Sequence, residues 1–93
     1  MIRSFKDKQT QAFFESGKSK VLPSEIQKRA LLKLDALNAS VNLNDLKAPP
    51  SNHLERLVGD RAGFYSIRIN KKYRIVFDFR DSNAYEVSVE DYH

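Results

Sequence analysis

The chain of 93 residues contains no cysteine, no tryptophan and only three glycines. Without cysteine, neither a disulfide framework nor thiol chemistry is possible, and the chain suits a reducing cytoplasm. Only two histidines are present, His53 and His93, so a zinc site is not expected. The few glycines form no glycine-rich phosphate-binding loop. The composition therefore predicts a protein without a cofactor and without a bound metal.

Long apolar runs are also missing from the sequence. No segment approaches the ~18 apolar residues of a membrane span. No apolar stretch follows the charges of residues 1–6, as it would in a signal peptide. A chain of this length is expected to form one domain, residues 1–93, and to bury roughly 60–65% of its unfolded surface. We therefore expect a single cytoplasmic domain that does not contact a membrane.

Positive charge is unevenly distributed along the chain. Lysine and arginine number 16 and aspartate and glutamate 12, which gives a formal charge of +4. Residues 1–50 hold nine basic and five acidic side chains, whereas residues 51–93 hold seven of each. A basic first half favours a polyanionic partner such as nucleic acid, although many soluble proteins carry a charge of this size.

The first half of the chain carries helix signals. Asp7 is a suitable cap for a short helix, and Gly17 is a suitable left-handed residue at its end. Ser24 and Gln27 have the spacing of a capping box, which predicts the start of a second helix that ends near Asn38. Four apolar residues recur there at helical spacing: Ile26, Ala30, Leu34 and Leu37.

After residue 52 the apolar period changes from 3.6 to 2, which is typical of strands. Strands are predicted at residues 2–5, 53–57, 65–69 and 73–80, and from residue 85 to the end. Short polar turns join the last three strands as an antiparallel meander. The pattern predicts an α+β fold with two N-terminal helices packed on one face of a small antiparallel β-sheet. The other face is expected to lie in solvent.

Alternation places two arginines on the predicted solvent face. Arg68 and Arg74 lie on neighbouring strands and point away from the apolar core positions. They are candidates for a small cationic patch that binds RNA phosphates. The alternative is that they are ordinary charges on a solvated sheet face.

The last four residues combine groups that exchange protons. Glu90 and Asp91 carry carboxylates, Tyr92 a phenol and His93 an imidazole. Acid/base chemistry on RNA needs a proton acceptor, a proton donor and a fixed positive charge, and Arg74 is a candidate for the charge. The alternative is a frayed terminus with polar side chains.

Three segments together resemble the HigB branch of the RelE toxin superfamily. They are the loop GDRAG at residues 59–63, the strand YRIVF at residues 73–77 and the terminal DYH at residues 91–93. The resemblance extends over the whole chain and implies the same α+β fold. It also implies a metal-free endoribonuclease that enters the ribosomal A site and cuts mRNA. The implied partner is a HigA-like helix-turn-helix antitoxin, which binds promoter DNA as a complex with the toxin.

The resemblance also implies roles for individual residues. Arg74 would stabilise the charge that develops on the phosphate. Asp91 and His93 would act as acid and base, in an order that the sequence leaves open. Tyr92 would position the nucleotide or stack on a base, and Arg61 in the loop would bind a phosphate.

The sequence departs from that branch before the loop. Relatives often carry a histidine and a lysine just before the loop glycine, and Glu55 and Val58 occupy those positions here. His53 lies two residues earlier, a shift of roughly 6–7 Å along a strand. We interpret Glu55 as a candidate substitute base and His53 as a surface or loop histidine. Two alternatives follow: a ribosome- or RNA-binding module that does not cleave, and a protein that only binds its antitoxin.

Overall fold

The computed structural model describes residues 1–91 of the chain. Two α-helices come first, α1 at Lys8–Ser16 and α2 at Ser24–Ala39. The strands are β1 at Glu55–Arg56, β2 at Phe64–Arg68, β3 at Tyr73–Arg80 and β4 at Asn83–Asp91. They form an antiparallel sheet in the order β1-β2-β3-β4. The predicted α+β fold is therefore confirmed.

Both end signals of α1 are confirmed. The Asp7 carboxylate accepts a hydrogen bond of 2.7 Å from the backbone N–H of Thr10, one of the groups that a helix start leaves unpaired. Gly17 ends the helix with φ 78°, in the left-handed region that favours glycine. Its backbone N–H donates to the carbonyl of Phe13 at 2.8 Å.

The capping box predicted for α2 is wrong. Pro23 occupies the N-cap position and Ser24 is the first helical residue. A capping box needs an N–H at the N-cap, and proline has none. Gln27 instead donates from its side-chain amide to the carbonyls of Ser19 and Leu22, at 3.0 and 2.9 Å. This side chain therefore fastens the loop between the helices to α2.

The core lies between the helices and one face of the sheet. All four apolar residues predicted on the core-facing side of α2 are at most 4% exposed. Opposite them, alternating residues of the strands and of the position directly after β2 are equally buried: Ile67, Ile69, Ile75, Phe77 and Val87. The two helices cover this face, which leaves the other face of the sheet for a functional site.

The strand predicted at residues 2–5 is reduced to two isolated parallel bridges. Ile2 pairs with Ala84 and Phe5 pairs with Val87, both on β4. Backbone hydrogen bonds from Arg3 to Ala84 and from Lys6 to Val87 accompany them, at 2.7 and 3.0 Å. The N-terminal segment therefore lies along the outer edge of β4.

The strand predicted at residues 53–57 is only two residues long. His53 has φ 44° and follows a 3-10 turn at Pro50–Asn52, so it cannot extend the strand. Glu55 pairs with Ser66 and Arg56 pairs with Tyr65. The left-handed residue thus directs the chain across the end of the sheet before β1 begins.

A β-bulge changes the predicted alternation of β4. Glu86 has φ 52°, and the register shifts between the pairs Val76–Ser88 and Asp78–Tyr85. As a result Ala84 is fully buried in the core. Tyr85 instead lies opposite Asp78. A bulge inserts one residue, so the side chains before it change face.

The face predicted to lie in solvent is partly buried. Ser66, Val76 and Ser88 form one row across β2, β3 and β4, and each is at most 1% exposed. Polar side chains cover the row, as the contacts of Arg74 with Ser66 and of Glu90 with Ser88 show. This half-covered face also holds Arg68 and Arg74, two of the residues that the sequence singled out.

A cationic groove as the candidate active site

Three charged residues form a second row on the face opposite the helices. Arg68 pairs with Arg74 across β2 and β3, and Arg74 pairs with Glu90 across β3 and β4. Paired residues share a face, so the prediction that Arg68 and Arg74 lie together on this face is confirmed. Two like charges opposite each other repel unless other groups compensate.

Arg74 is anchored rather than solvated, which corrects the patch prediction. The residue is 8% exposed. Its Nε donates to the hydroxyl of Ser66 at 2.8 Å, and its Nη2 donates to the carbonyl of His53 at 2.5 Å. The Glu55 carboxylate lies 4.0 Å from the same Nη2. The guanidinium therefore has a fixed position, as a preorganised electrostatic site requires.

A pocket of about 430 Å³ opens beside Arg74. We call it the sheet pocket. Its lining side chains are His53, Glu55, Arg68, Asn70, Lys71 and Arg74. They combine three cations with one carboxylate and one imidazole. Such a set can bind a phosphate and can also exchange protons with it.

A second pocket of about 480 Å³ adjoins the first. We call it the helix pocket, since α2 forms one wall. Four of its lining residues are shared with the sheet pocket, whereas Arg29, Lys33, Ser51 and Ile69 do not line the sheet pocket. The two pockets together form one cationic groove.

His53 lines both pockets. It lies in a loop, as interpreted from the sequence, but sequence reasoning missed its place in the groove. The left-handed conformation of His53 and the pairing of β1 with β2 bring it beside Arg74. Neither feature leaves a local sequence pattern.

Sequence reasoning also missed Arg29 and Lys33. Arg29 donates to the carbonyl of Ile69 at 3.4 Å, and the Lys33 ammonium donates to the side-chain carbonyl of Asn52. Burial, and next the positive charge of Arg29, lower the pKa of Lys33. A signal for both was present in the sequence. Arg29 and Lys33 are four residues apart, and each directly precedes a core residue of α2, at positions 30 and 34. This spacing places both side chains on one edge of the helix.

Arg61, predicted to bind a phosphate, is bound to a carboxylate. It ends a 3-10 turn at Gly59–Arg61, and its two terminal nitrogens donate to the two oxygens of Glu90 at 2.7 and 2.5 Å. Ser88 also donates to Glu90, and the Lys6 ammonium lies 3.7 Å away. Mainly because of Arg61, the pKa of Glu90 falls from 4.5 to about 2. Arg61 lies outside the linings of both groove pockets.

Asp91 and Arg74 lie on opposite faces of the sheet. Asp91 pairs with Tyr73, whereas Glu90 pairs with Arg74, and successive residues of a strand alternate in direction. The Asp91 carboxylate lies 3.8 Å from the Lys72 ammonium. The predicted neighbours Tyr92 and His93 lie outside the described residues.

Two features are missing from residues 1–91. In this part of the chain no group of three or more histidine, cysteine, aspartate or glutamate side chains is placed to hold a metal ion. None of its helices is long and apolar enough to cross a membrane.

Comparison with known proteins identifies the family. The family of RelE-like toxins of the type II toxin–antitoxin system HigB matches residues 3–93. Toxin HigB-1 of Vibrio cholerae is 40% identical over 85 residues, which are 90% of each chain. Endoribonuclease HigB of Proteus vulgaris is 34% identical over 93 residues, the full length of both chains.

Solved structures agree with the fold. The toxin–antitoxin complex YoeB–YefM from Staphylococcus aureus contains a chain that superposes with a TM-score of 0.63 at 19% identity. The match covers 100% of this chain and 98% of that chain. From the family match and the identity of its relatives, the chain belongs to the HigB-like family of RelE-like toxins of type II toxin–antitoxin systems.

Proposed function

We propose that this HigB-like toxin is an endoribonuclease that cuts mRNA on the translating ribosome. A full-length relative is named Endoribonuclease HigB, which supports the activity. The observation that carries the proposal is the sheet pocket. It combines the anchored Arg74 with two more cations and with two side chains that can exchange protons.

The proposed reaction uses the 2′-hydroxyl of the RNA as the nucleophile. Its oxygen attacks the adjacent phosphorus, and the bond from phosphorus to the 5′-oxygen breaks. A base accepts the 2′ proton, and an acid donates a proton to the leaving 5′-oxygen. The products are a 2′,3′-cyclic phosphate and a 5′-hydroxyl. The protein must supply a base, an acid and positive charge at the phosphate.

Arg74 is the proposed source of that fixed charge. Its bonds to Ser66 and to the carbonyl of His53 hold the guanidinium while negative charge develops on the phosphate oxygens. Arg68 and Lys71, from the same lining, add to the positive potential. An anchored cation costs no reorganisation during the reaction.

Glu55 and His53 are the proposed proton-transfer groups among the described residues, because both line the sheet pocket. Glu55 then serves as the substitute base. His93 stays a proposed acid or base, and Tyr92 a proposed stacking residue, because both follow directly on β4. For Asp91, the contact with Lys72 favours a role in holding the strand end.

Arg61 is proposed to have a supporting role. Its paired bonds with Glu90 fasten the loop at residues 59–61 to the strand end next to Arg74. We therefore assign phosphate binding to Arg68 and Lys71 rather than to Arg61.

An antitoxin is the proposed protein partner. Solved structures of this fold include the heterotetrameric YoeB–YefM toxin–antitoxin complex of Staphylococcus aureus. For this chain we propose a HigA-like helix-turn-helix antitoxin, with promoter DNA bound through the complex, in the cytoplasm. Co-expression with the neighbouring reading frame should restore growth and yield a stable complex. Toxicity that persists with that reading frame expressed would contradict this partner.

Variants of the sheet pocket test the cleavage proposal. In a purified translation reaction, His53→Ala and Arg68→Ala are each expected to slow mRNA cleavage at least about tenfold, as is typical for the loss of an acid/base or charge-stabilising group. Arg56→Ala is the matched control, because Arg56 is exposed and lies beside the ring of Tyr65, outside both pocket linings. Wild-type cleavage by both pocket variants would contradict the proposed site.

A function without cleavage is the second candidate. Val58 carries no charge at the position where the resemblance implies a lysine, and it lies outside the groove linings. In this case the groove holds RNA on the ribosome and blocks translation. Inhibited translation with an intact message would favour this function over cleavage.

A further inference from the structure

We propose that the helix pocket is a second phosphate-binding subsite, which holds the RNA backbone next to the phosphate that is cut. This inference rests on the proposed function of the sheet pocket. Its ligand would be a phosphate of the same RNA strand, recognised by Arg29 and Lys33 of α2 together with Arg68 and Lys71.

The charges of the helix pocket favour an anion. Four of its lining residues are cations, and no carboxylate is among the described residues that line it. The sheet pocket differs, since its lining includes Glu55. Cations gathered in a concave site repel one another and concentrate anions from solution. A bound phosphate would relieve this repulsion.

Two contacts hold the helix side chains over the pocket. Arg29 donates to the carbonyl of Ile69 at 3.4 Å, which fixes it against the end of β2. Lys33 donates to Asn52, whose side-chain amide is itself bonded to the carbonyls of Leu46 and Ala48, at 3.0 and 3.3 Å. The cations are therefore directed inward before any ligand binds. Burial, and next the charge of Arg29, lower the pKa of Lys33, in keeping with the position of both cations in the same lining.

The shared lining of the two pockets favours a polymer as the ligand. His53, Arg68, Asn70 and Lys71 line both pockets, so the two pockets adjoin through these four residues. A strand bound at Arg74 can enter the helix pocket without leaving the surface. Proteins that bind single-stranded nucleic acid use positive grooves of this kind to follow the backbone.

Titration with a short oligonucleotide tests the subsite. The probe is a 2′-deoxyadenosine tetranucleotide, which has no 2′-hydroxyl and cannot be cut by the proposed route. In NMR spectra of the full chain, the backbone amide signals of Ser51 and Ile69 report on the helix pocket alone, and those of Glu55 and Arg74 on the sheet pocket alone. Both sets are expected to shift together.

Arg29→Gln is the decisive variant, because Arg29 lines the helix pocket but not the sheet pocket. It is expected to weaken tetranucleotide binding about fivefold and to reduce the slope of log affinity against log salt by about 0.7, the value for one lost contact with a single strand. Arg29→Lys should retain most of the affinity. Lys28→Gln removes one charge from the same helix, outside both linings, and should change neither quantity. Lys33 is left intact because it supports the loop that carries His53.

Two results would overturn the subsite. One is a set of shifts confined to Glu55 and Arg74. The other is an equal loss of affinity in Arg29→Gln and Lys28→Gln, which would indicate general charge attraction. The proposed function fails separately: if both sets shift but the wild type leaves mRNA intact on ribosomes, the subsite stands and the cleavage assignment falls.

Discussion

At the scale of single residues, Arg74 links the stability of the sheet to the proposed chemistry. It is nearly buried, and it joins β3 to a hydroxyl on β2 and to the carbonyl that precedes β1. A buried charge is tolerated only where it is paired and hydrogen-bonded. The contacts that stabilise this charge in the folded protein also fix its position for a phosphate.

Replacement of Arg74 is expected to destabilise the fold. Arg74→Ala leaves the Ser66 hydroxyl and the His53 carbonyl without this donor, so the free energy of unfolding should fall by about 1–3 kcal/mol. Urea denaturation measures the change. Arg56→Ala, at an exposed arginine, should change it by no more than about 0.5 kcal/mol. Equal effects of the two variants would show that the anchoring contacts contribute nothing.

Glu90 should make the free energy of unfolding depend on pH. Its pKa is about 2 in the folded chain and 4.5 ordinarily, mainly because Arg61 stabilises the carboxylate. Since the pKa of Glu90 is depressed in the folded chain, Glu90 contributes fully to the free energy of unfolding above pH ~4.5. This contribution is lost as the pH falls toward 2. The carboxylate is partly in water, so we expect on the order of 1–2 kcal/mol, less than the shift alone would give.

The variant Glu90→Gln isolates this contribution. The free energy of unfolding of the variant, measured in urea at pH 6 and at pH 3, should differ less between the two conditions than that of the wild type. Glu86→Gln changes an exposed carboxylate of the same strand and serves as the control. An identical pH dependence in wild type and Glu90→Gln would refute the role of the Arg61 pair.

At the scale of elements, the capping and turn residues predicted where α1 and the strands end, because nearby residues determine these ends. Asp7 and Gly17 delimit α1 as expected, and the polar turns separate β2, β3 and β4 as expected. The bulge at Glu86 and the left-handed His53 could not be predicted, because each depends on how a distant segment pairs with it. The absence of the capping box could have been predicted from Pro23. Proline has no N–H, so it excludes the capping box that the pattern of Ser24 and Gln27 favoured.

The cap of α1 gives a prediction for this element. Asp7→Ala removes the carboxylate that accepts from Thr10 and should lower the free energy of unfolding by about 1 kcal/mol. The free energy of opening that amide exchange reports for residues 8–16 should fall by the same amount or more. Asp35→Ala, at an exposed aspartate in the interior of α2, serves as the control. Unchanged exchange in α1 would show that the cap is dispensable.

At the scale of the whole molecule, the candidate site is assembled from parts that are distant in sequence. Alternation alone placed Arg68 and Arg74 on one face, and the structure confirms it. Arg29 and His53 join them only because α2 and the loop before β1 lie against the end of β2, an arrangement that no local pattern encodes. Asp91 differs: it follows Val87 and Val89 at a spacing of two, so alternation alone could have placed it on the core side of β4, away from Arg74.

The most direct test of RNA cleavage by this fold is to map the ends of mRNA in a purified translation reaction that contains the wild-type protein. We expect new internal ends that appear only with translating ribosomes, with a 2′,3′-cyclic phosphate on one fragment and a 5′-hydroxyl on the other. The double variant His53→Ala/Arg68→Ala should leave the message intact. A message that stays whole while translation stops, or fragments that begin with a 5′-phosphate, would contradict the account.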